Sequence, residues 1–197
     1  MTFDPAQLDS ITGFLLPNEA ALLYQLAADV PKCGTIVEVG SYQGKSTVAL
    51  ALGVKTKHYF DAALLYAIDP RHTTKDTMTD FSMTNQSAFF KNLLAFDVSD
   101  TVRVINLSSW EAHLTWSETR NSIDLVWIDG NHNYQYVSED AYMWSQQITP
   151  DGKIIFHDYN NPDFPGVRQA VNEFVANSKW QITQTVDTIA VLECIKE

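Results

Sequence analysis

Val37-Glu-Val-Gly-Ser-Tyr-Gln-Gly-Lys-Ser-Thr47 is a short apolar run, a glycine turn and then Lys-Ser-Thr. Its last three residues fit the end of the phosphate loop G-x-x-x-x-G-K-[ST]. Gly40 and Gly44, however, enclose three residues where that loop has four. The missing residue matters, because a phosphate cradle depends on a fixed number of backbone N–H groups turned inward. Thr35 to Val39, which leads into the turn, is apolar except for Glu38. It reads as a strand covered on both faces, which implies a parallel sheet. Gly44 to Leu52 reads as the helix that follows.

The pattern repeats outward from there. Pro17-Asn18-Glu19 opens a helix with Asn18 as its cap, carried by Leu22, Leu23, Leu26, Ala27 and Val30 up to Pro31. Further strands are expected over Leu64–Ile68, Val102–Leu107, Ile123–Ile128 and Gly152–Phe156. Helices are expected near Ser87–Phe96, Trp110–Leu114, Val137–Ile148 and Val167–Ala176. Two adjoining strands, near Trp180–Val186 and Ile189–Ile195, turn at Asp187-Thr188. Alternating strands and helices closed by a hairpin specify an α/β fold: a Rossmann-like doubly wound sheet, mostly parallel, with a C-terminal antiparallel hairpin. Residues 1–197 read as one domain, with 1–31 as an N-terminal helical segment. The irregular stretch 71–86 reads as a lid or substrate loop.

The bulk numbers narrow the partners. With 24 acids against 13 bases, the net charge of -11 repels nucleic acid and anionic membranes. No apolar run approaches the ~18 residues of a membrane helix, and the N-terminus has no signal-peptide pattern. The two cysteines, Cys33 and Cys194, lie far apart and outside any C-x-x-C pair, as in a reduced cytoplasmic protein.

Ligands of open α/β sheets bind beyond the carboxyl ends of the strands. Here those ends are Gly40, Asp69, Asp129 and His157-Asp158. Asp69 follows the glycine turn by roughly 30 residues, where such folds place an acid for ribose hydroxyls; it could also serve only the turn before Pro70. A glycine turn without the full cradle lets backbone approach a ligand closely. Glu38 beside it would oppose a polyphosphate and suit a cationic nucleoside such as S-adenosylmethionine.

The segments IVEVGSYQGKST, YAIDP, IDLVWIDGNHNYQYVSEDAYMW and GKIIFHDY, in this order over about residues 35 to 160, carry a resemblance. The chain resembles a class I S-adenosylmethionine-dependent methyltransferase. It is most similar to the small-molecule O-methyltransferase and cephalosporin-hydroxylase-like group, methyltransferase family 24. The resemblance implies that Glu38, Gly40, Ser41, Gly44 and Ser46 hold the methionine part of the cofactor and Asp69 the ribose. It sets Ser109 and Trp110 against adenine, although Trp110 also fits a buried residue at a helix start. It further implies a divalent ion, Mg2+ or Mn2+, on Asp129, His157 and Asp158. His157 departs from an all-carboxylate set and could instead touch substrate.

Where sugar-modifying relatives carry a basic acid, this chain has Asn131, which takes no proton. His132 beside it is the alternative base, or else orders the loop. Catalysis is thus assigned to His132 and Asp129, on a small-molecule hydroxyl acceptor. Tyr24, Phe81, Phe89 and Phe90 are candidates for the acceptor pocket. His58, His72 and His113 have no comparable placement, and self-association is left open. Two rivals stand: a nucleotide triphosphatase or kinase using GSYQGKS, and a non-catalytic cofactor-binding module of the same fold.

Overall fold

The continuous apolar runs of the chain become strands because only a two-sided cover buries them. In the computed structural model, which describes residues 3–57, 63–70, 84–119 and 122–195, seven strands form one sheet. They are β1 (Thr35–Val39), β2 (Leu64–Ile68), β3 (Val102–Ile105), β4 (Ile123–Ile128), β5 (Ile148–Phe156), β6 (Trp180–Val186) and β7 (Ile189–Cys194). Their order is β3-β2-β1-β4-β5-β7-β6. The first five are parallel, and β7 runs antiparallel to both β5 and β6. The expected fold class is the observed one.

Six α-helices cover the sheet: α1 (Pro17–Asp29), α2 (Lys45–Val54), α3 (Thr84–Ala95), α4 (Ser109–Thr119), α5 (Tyr134–Ser145) and α6 (Pro165–Ala176). The period of two along each strand splits the apolar residues into two cores. Ile36, Leu65, Leu125, Trp127 and Ile155 pack with residues of α1, α2 and α3. Val37, Val39, Val126, Ile128, Ile154 and Phe156 pack with α4, α5 and α6. Glu38 shares the face of Ile36 and therefore points toward α2, which decides its role below.

Boundaries shift where local chemistry outweighs periodicity. The cap of α1 is Leu16 rather than Asn18: Pro17 occupies the first turn and the Glu19 carboxylate accepts the Leu16 N–H at 2.9 Å. Helix α5 begins at Tyr134, three residues ahead of Val137, and β5 begins at Ile148, four residues ahead of Gly152. Of the stretch expected as a lid, 71–83 lies outside the described residues, as do His58, His72 and Phe81. Residues 84–86 start α3. Neither Cys33 nor Cys194 forms a disulfide. Among the described residues no helix is long and apolar enough to cross a membrane.

Candidate active site

The sheet order reverses at β1, whose neighbours are β2 on one side and β4 on the other. A crevice opens at such a point because the chain leaves in opposite directions. The backbone ladder runs one residue past the strand ends. Gly40 N–H donates to Ile68 O (2.9 Å) and Asp69 N–H to Ile105 O (3.1 Å). Asp129 N–H donates to Val39 O (2.8 Å) and His157 N–H to Ile128 O (3.1 Å). These bonds fix four of the expected site residues in a row, and all four line one cavity of about 1010 Å³.

Gly40 has φ +86°, and a Cβ there would lie 2.1 Å from the Asp129 carbonyl oxygen. Only glycine permits both this dihedral and this approach. The following loop is held by Asp69, whose Oδ2 accepts the N–H groups of Ser41 (3.1 Å) and Tyr42 (3.0 Å). Ser41 lines the cavity, and its Oγ is buried with no hydrogen-bond partner among the described residues. A buried orphan hydroxyl at a cavity wall is satisfied by a ligand or water.

Two expected contacts are corrected. Glu38 and Gly44 do not line the cavity. Glu38 is fully buried and accepts the hydroxyls of Ser46 (2.6 Å) and Thr47 (2.5 Å) in the first turn of α2. Gly44 caps that helix at φ +88°, with the Phe89 ring 3.0 Å from where a Cβ would stand. Ser46 does line the cavity, but its hydroxyl is committed to Glu38. The same arrangement tells against the nucleotide triphosphatase rival. A phosphate loop needs its Ser/Thr hydroxyl for magnesium and its helix N-terminus for phosphate. Here a buried carboxylate takes the hydroxyls and stands under the helix start.

Ser109 and Trp110 both line the cavity, and Trp110 is 58% exposed, so it is not a core aromatic. The Ser109 hydroxyl accepts from Trp144 Nε1 (2.8 Å) and donates to Asp140. Sequence reasoning missed Asp140, a buried acid on α5 that also lines the cavity. Burial pushes its carboxyl up to about 7, with the Ser109 hydrogen bond opposing. Its signal was an acid on the buried face of an amphipathic helix.

At the ends of β4 and β5, charges concentrate. His157 Nδ1 lies 2.9 Å from Asp129 Oδ1 and 3.3 Å from Asp158 Oδ2, while Nε2 lies 3.2 Å from Glu19 Oε2. Burial alone would lower the histidine's pKa. The carboxylates of Asp129, Asp158 and Glu19 outweigh it and hold the ring protonated well above its ordinary value. Both ring nitrogens face carboxylates, and His157 is not among the residues whose donor atoms converge as a metal-type cluster.

His132 takes that place instead. Its Nε2 lies 2.9 Å from Asp158 Oδ2 and 3.9 Å from Asp129 Oδ1, and its ring stacks on Phe164 at 4.0 Å. One donor atom each from Asp129, His132 and Asp158 falls within 4.8 Å of the others. Two carboxylates and an imidazole fit a divalent ion, and the nitrogen suits manganese or zinc better than magnesium. Burial would raise the pKa of Asp158. Hydrogen bonds with His132, His157 and Asn161 and the charge of His157 hold it far below the usual carboxylate range.

The expected acceptor pocket is corrected too. Phe89 is core, Tyr24 stacks on Phe3 at 4.3 Å, and neither they nor Phe90 line the cavity. The apolar wall comes from Phe14, Leu15, Leu16 and Phe164, in a loop before α1 and at the start of α6. His113, on α4, packs edge-on against Trp144 in the core and does not line the cavity. Tyr134, at the start of α5, donates its hydroxyl to Glu173 on α6.

A family model described as a methyltransferase domain matches residues 37–159. An uncharacterized protein of Acanthamoeba polyphaga mimivirus is 29% identical over 147 residues, 73% of this chain and 60% of that relative. The chain thus spans about 60% of that relative's length. Among solved structures, cofactor-bound Rv0187 from MTB superposes with a TM-score of 0.71 at 15% identity, covering 96% of this chain and 85% of that one. The O-methyltransferase TomG from Streptomyces achromogenes, in complex with SAM, gives 0.69 at 17% identity, covering 93% and 82%. At such identities the likeness is one of fold.

Proposed function

The chain belongs to the methyltransferase-domain family, and from that premise we propose that it transfers the methyl group of S-adenosylmethionine to a hydroxyl oxygen of a small molecule. The observation that carries this reading is one continuous cavity at the sheet's switch point. It joins a glycine turn and a ribose-type acid to an Asp–His–Asp cluster. When bound, the cofactor supplies a sulfonium methyl carbon open to in-line displacement.

The chain's residues supply the rest. Asp69 suits the ribose, the orphan Ser41 hydroxyl suits the methionine part, and the exposed face of Trp110 suits adenine stacking. The described cavity wall carries the acids Asp69, Asp129, Glu139, Asp140, Asp158 and Asp163 against Lys45 and the protonated His157. That sign favours a cationic cofactor over a polyphosphate. Phe14, Leu16 and Phe164 give the acceptor an apolar wall that excludes water.

Asp129, His132 and Asp158 are the residues that would hold a divalent ion, which would lower the pKa of the acceptor hydroxyl. A second reading rests on the 2.9 Å approach of His132 Nε2 to Asp158. In it the imidazole, oriented by that carboxylate, takes the acceptor's proton directly. Manganese(II) titration separates the two readings, because only the first requires tight metal binding.

Calorimetric titration with S-adenosylhomocysteine tests the function. One equivalent should bind the parent chain, and Asp69→Ala should bind at least about 10-fold more weakly, as two backbone donors and a ribose partner are lost together. A folded parent that binds no S-adenosylhomocysteine refutes the proposal.

A further inference from the structure

Glu19 lies outside the cavity wall, yet three residues it bonds all line that wall. Its Oε1 accepts the N–H (2.9 Å) and the hydroxyl (2.6 Å) of Thr188, in the β6–β7 turn. Its Oε2 accepts the Leu16 N–H (2.9 Å) and lies 3.2 Å from His157 Nε2. Leu16, His157 and Thr188 come from three separate segments of the cavity. The carboxylate itself is 0% exposed.

Capping α1 does not require this burial. A glutamate at the third helical position reaches the cap N–H from the surface equally well. Burying a carboxylate is unfavourable unless every lone pair is satisfied. The satisfaction here comes chiefly from outside the helix, from His157 and Thr188. On the far side of the His157 ring, Nδ1 lies 2.9 Å from Asp129 Oδ1. The Trp127 ring packs against the imidazole with centroids 5.2 Å apart. The ring is therefore fixed at both nitrogens and on one face.

We propose that Glu19 is a positioning residue of the transfer site: it fixes the His157 ring, and through that ring the carboxylate of Asp129. The inference rests on the methyltransfer reading for its functional meaning, but its geometry stands apart from it. In this arrangement the N-terminal segment is part of the active centre. Helix α1 delivers an acid to the back of the catalytic cluster while the loop before it forms the acceptor wall. Partners that orient ligating side chains in this way usually change metal affinity or activity by about 10–100-fold when removed.

The test compares the full-length parent with Glu19→Gln, which keeps size and shape but replaces one acceptor oxygen by a donor. Thr188→Val serves as control, since it removes one bond to Glu19 and leaves the His157 contact. Two readouts apply: the ring ¹⁵N and N–H resonances of His157, assigned from the spectrum of His157→Gln, and manganese(II) affinity. Glu19→Gln should displace both ring-nitrogen resonances and weaken manganese(II) binding by about 10–100-fold, with S-adenosylhomocysteine affinity unchanged. Thr188→Val should leave the resonances in place.

Unchanged His157 resonances in Glu19→Gln would overturn the proposal. So would a Thr188→Val variant that reproduces Glu19→Gln, because Glu19 would then serve only to pin the hairpin. If Glu19→Gln fails to fold, Glu19→Asp draws the carboxylate back by one methylene and should shift the same resonances. A parent that binds no S-adenosylhomocysteine would refute the functional reading, while the ring resonances would still decide the role of Glu19.

Discussion

Gly40→Ala is the substitution whose effect the structure sizes most directly. An alanine there must adopt φ +86° and place its Cβ 2.1 Å from the Asp129 carbonyl oxygen. The left-handed dihedral costs about 1–2 kcal/mol. Forcing a methyl group into a packed site costs about 1–3 kcal/mol more. Together these give a loss of roughly 2–5 kcal/mol, or about 4–20 °C in melting temperature for a domain of this size. The clash is with backbone, so β1 and β4 must part at their ends, and the loop that Asp69 holds must move. S-adenosylhomocysteine affinity should then fall by at least about 10-fold. Gly130→Ala is the internal contrast. Its Cβ would meet Val39 Cγ1 at 3.5 Å and Asp140 Oδ2 at 3.8 Å, which is ordinary contact. It should change stability by less than about 0.5 kcal/mol. Thermal melts and calorimetry on the two variants decide the matter. A Gly40→Ala chain that melts with Gly130→Ala and binds like the parent would refute the claim that close approach of the two strand ends builds the site.

Three further outcomes follow from the cavity wall. Trp110→Ala should melt like the parent, because the indole is 58% exposed, yet lose about 1–2 kcal/mol of S-adenosylhomocysteine affinity by calorimetry, the scale of one stacked base. Asp140, raised from 3.8 to about 7, binds its proton more tightly folded than unfolded. Its contribution is present below pH 3.8 and lost as pH rises through about 7, with a ceiling of about 4 kcal/mol for roughly 3 pH units. Urea unfolding should therefore show the parent losing stability across that window and Asp140→Asn losing less. His132→Ala should weaken manganese(II) binding by at least about 10-fold by spin resonance while sparing S-adenosylhomocysteine affinity; unchanged manganese(II) binding would favour the proton-acceptor role of His132.

Much of this was legible in the chain. The strands β1, β2 and β4 fall where their apolar runs end in Gly40, Asp69 and Asp129, because a doubly buried strand admits a charge within its length only where a partner satisfies it, as α2 does for Glu38. The closing hairpin was equally plain, since two apolar runs with no helix between them must be antiparallel neighbours. What periodicity could not give was partnership across long separations. His157 looks like a ligand beside Asp158 until Glu19, 138 positions away, occupies its second nitrogen. His132 reads from the sequence as a base or a loop-ordering residue, and only the fold sets its Nε2 2.9 Å from Asp158. The acceptor wall was sought among aromatics of α1 and α3, where helical spacing is equally a core signal, and Phe89 proved to be core.

Glu38 decides whether the glycine turn is built for phosphate. Read along the chain, it stands two residues before the glycine turn and so beside any ligand there. Read across the sheet, it shares the face of Ile36, because side chains alternate along a strand. That face is covered by the next helix, α2, whose first turn offers Ser46 and Thr47. The carboxylate therefore does inside the protein what a bound phosphate would do outside it: it sits at the helix start and accepts from its hydroxyls. A Lys-Ser-Thr sequence after a glycine turn signals phosphate only if the strand before it leaves that helix end open. Here the strand closes it, and Asp69 and Ser41 face the cavity on the other side of the loop.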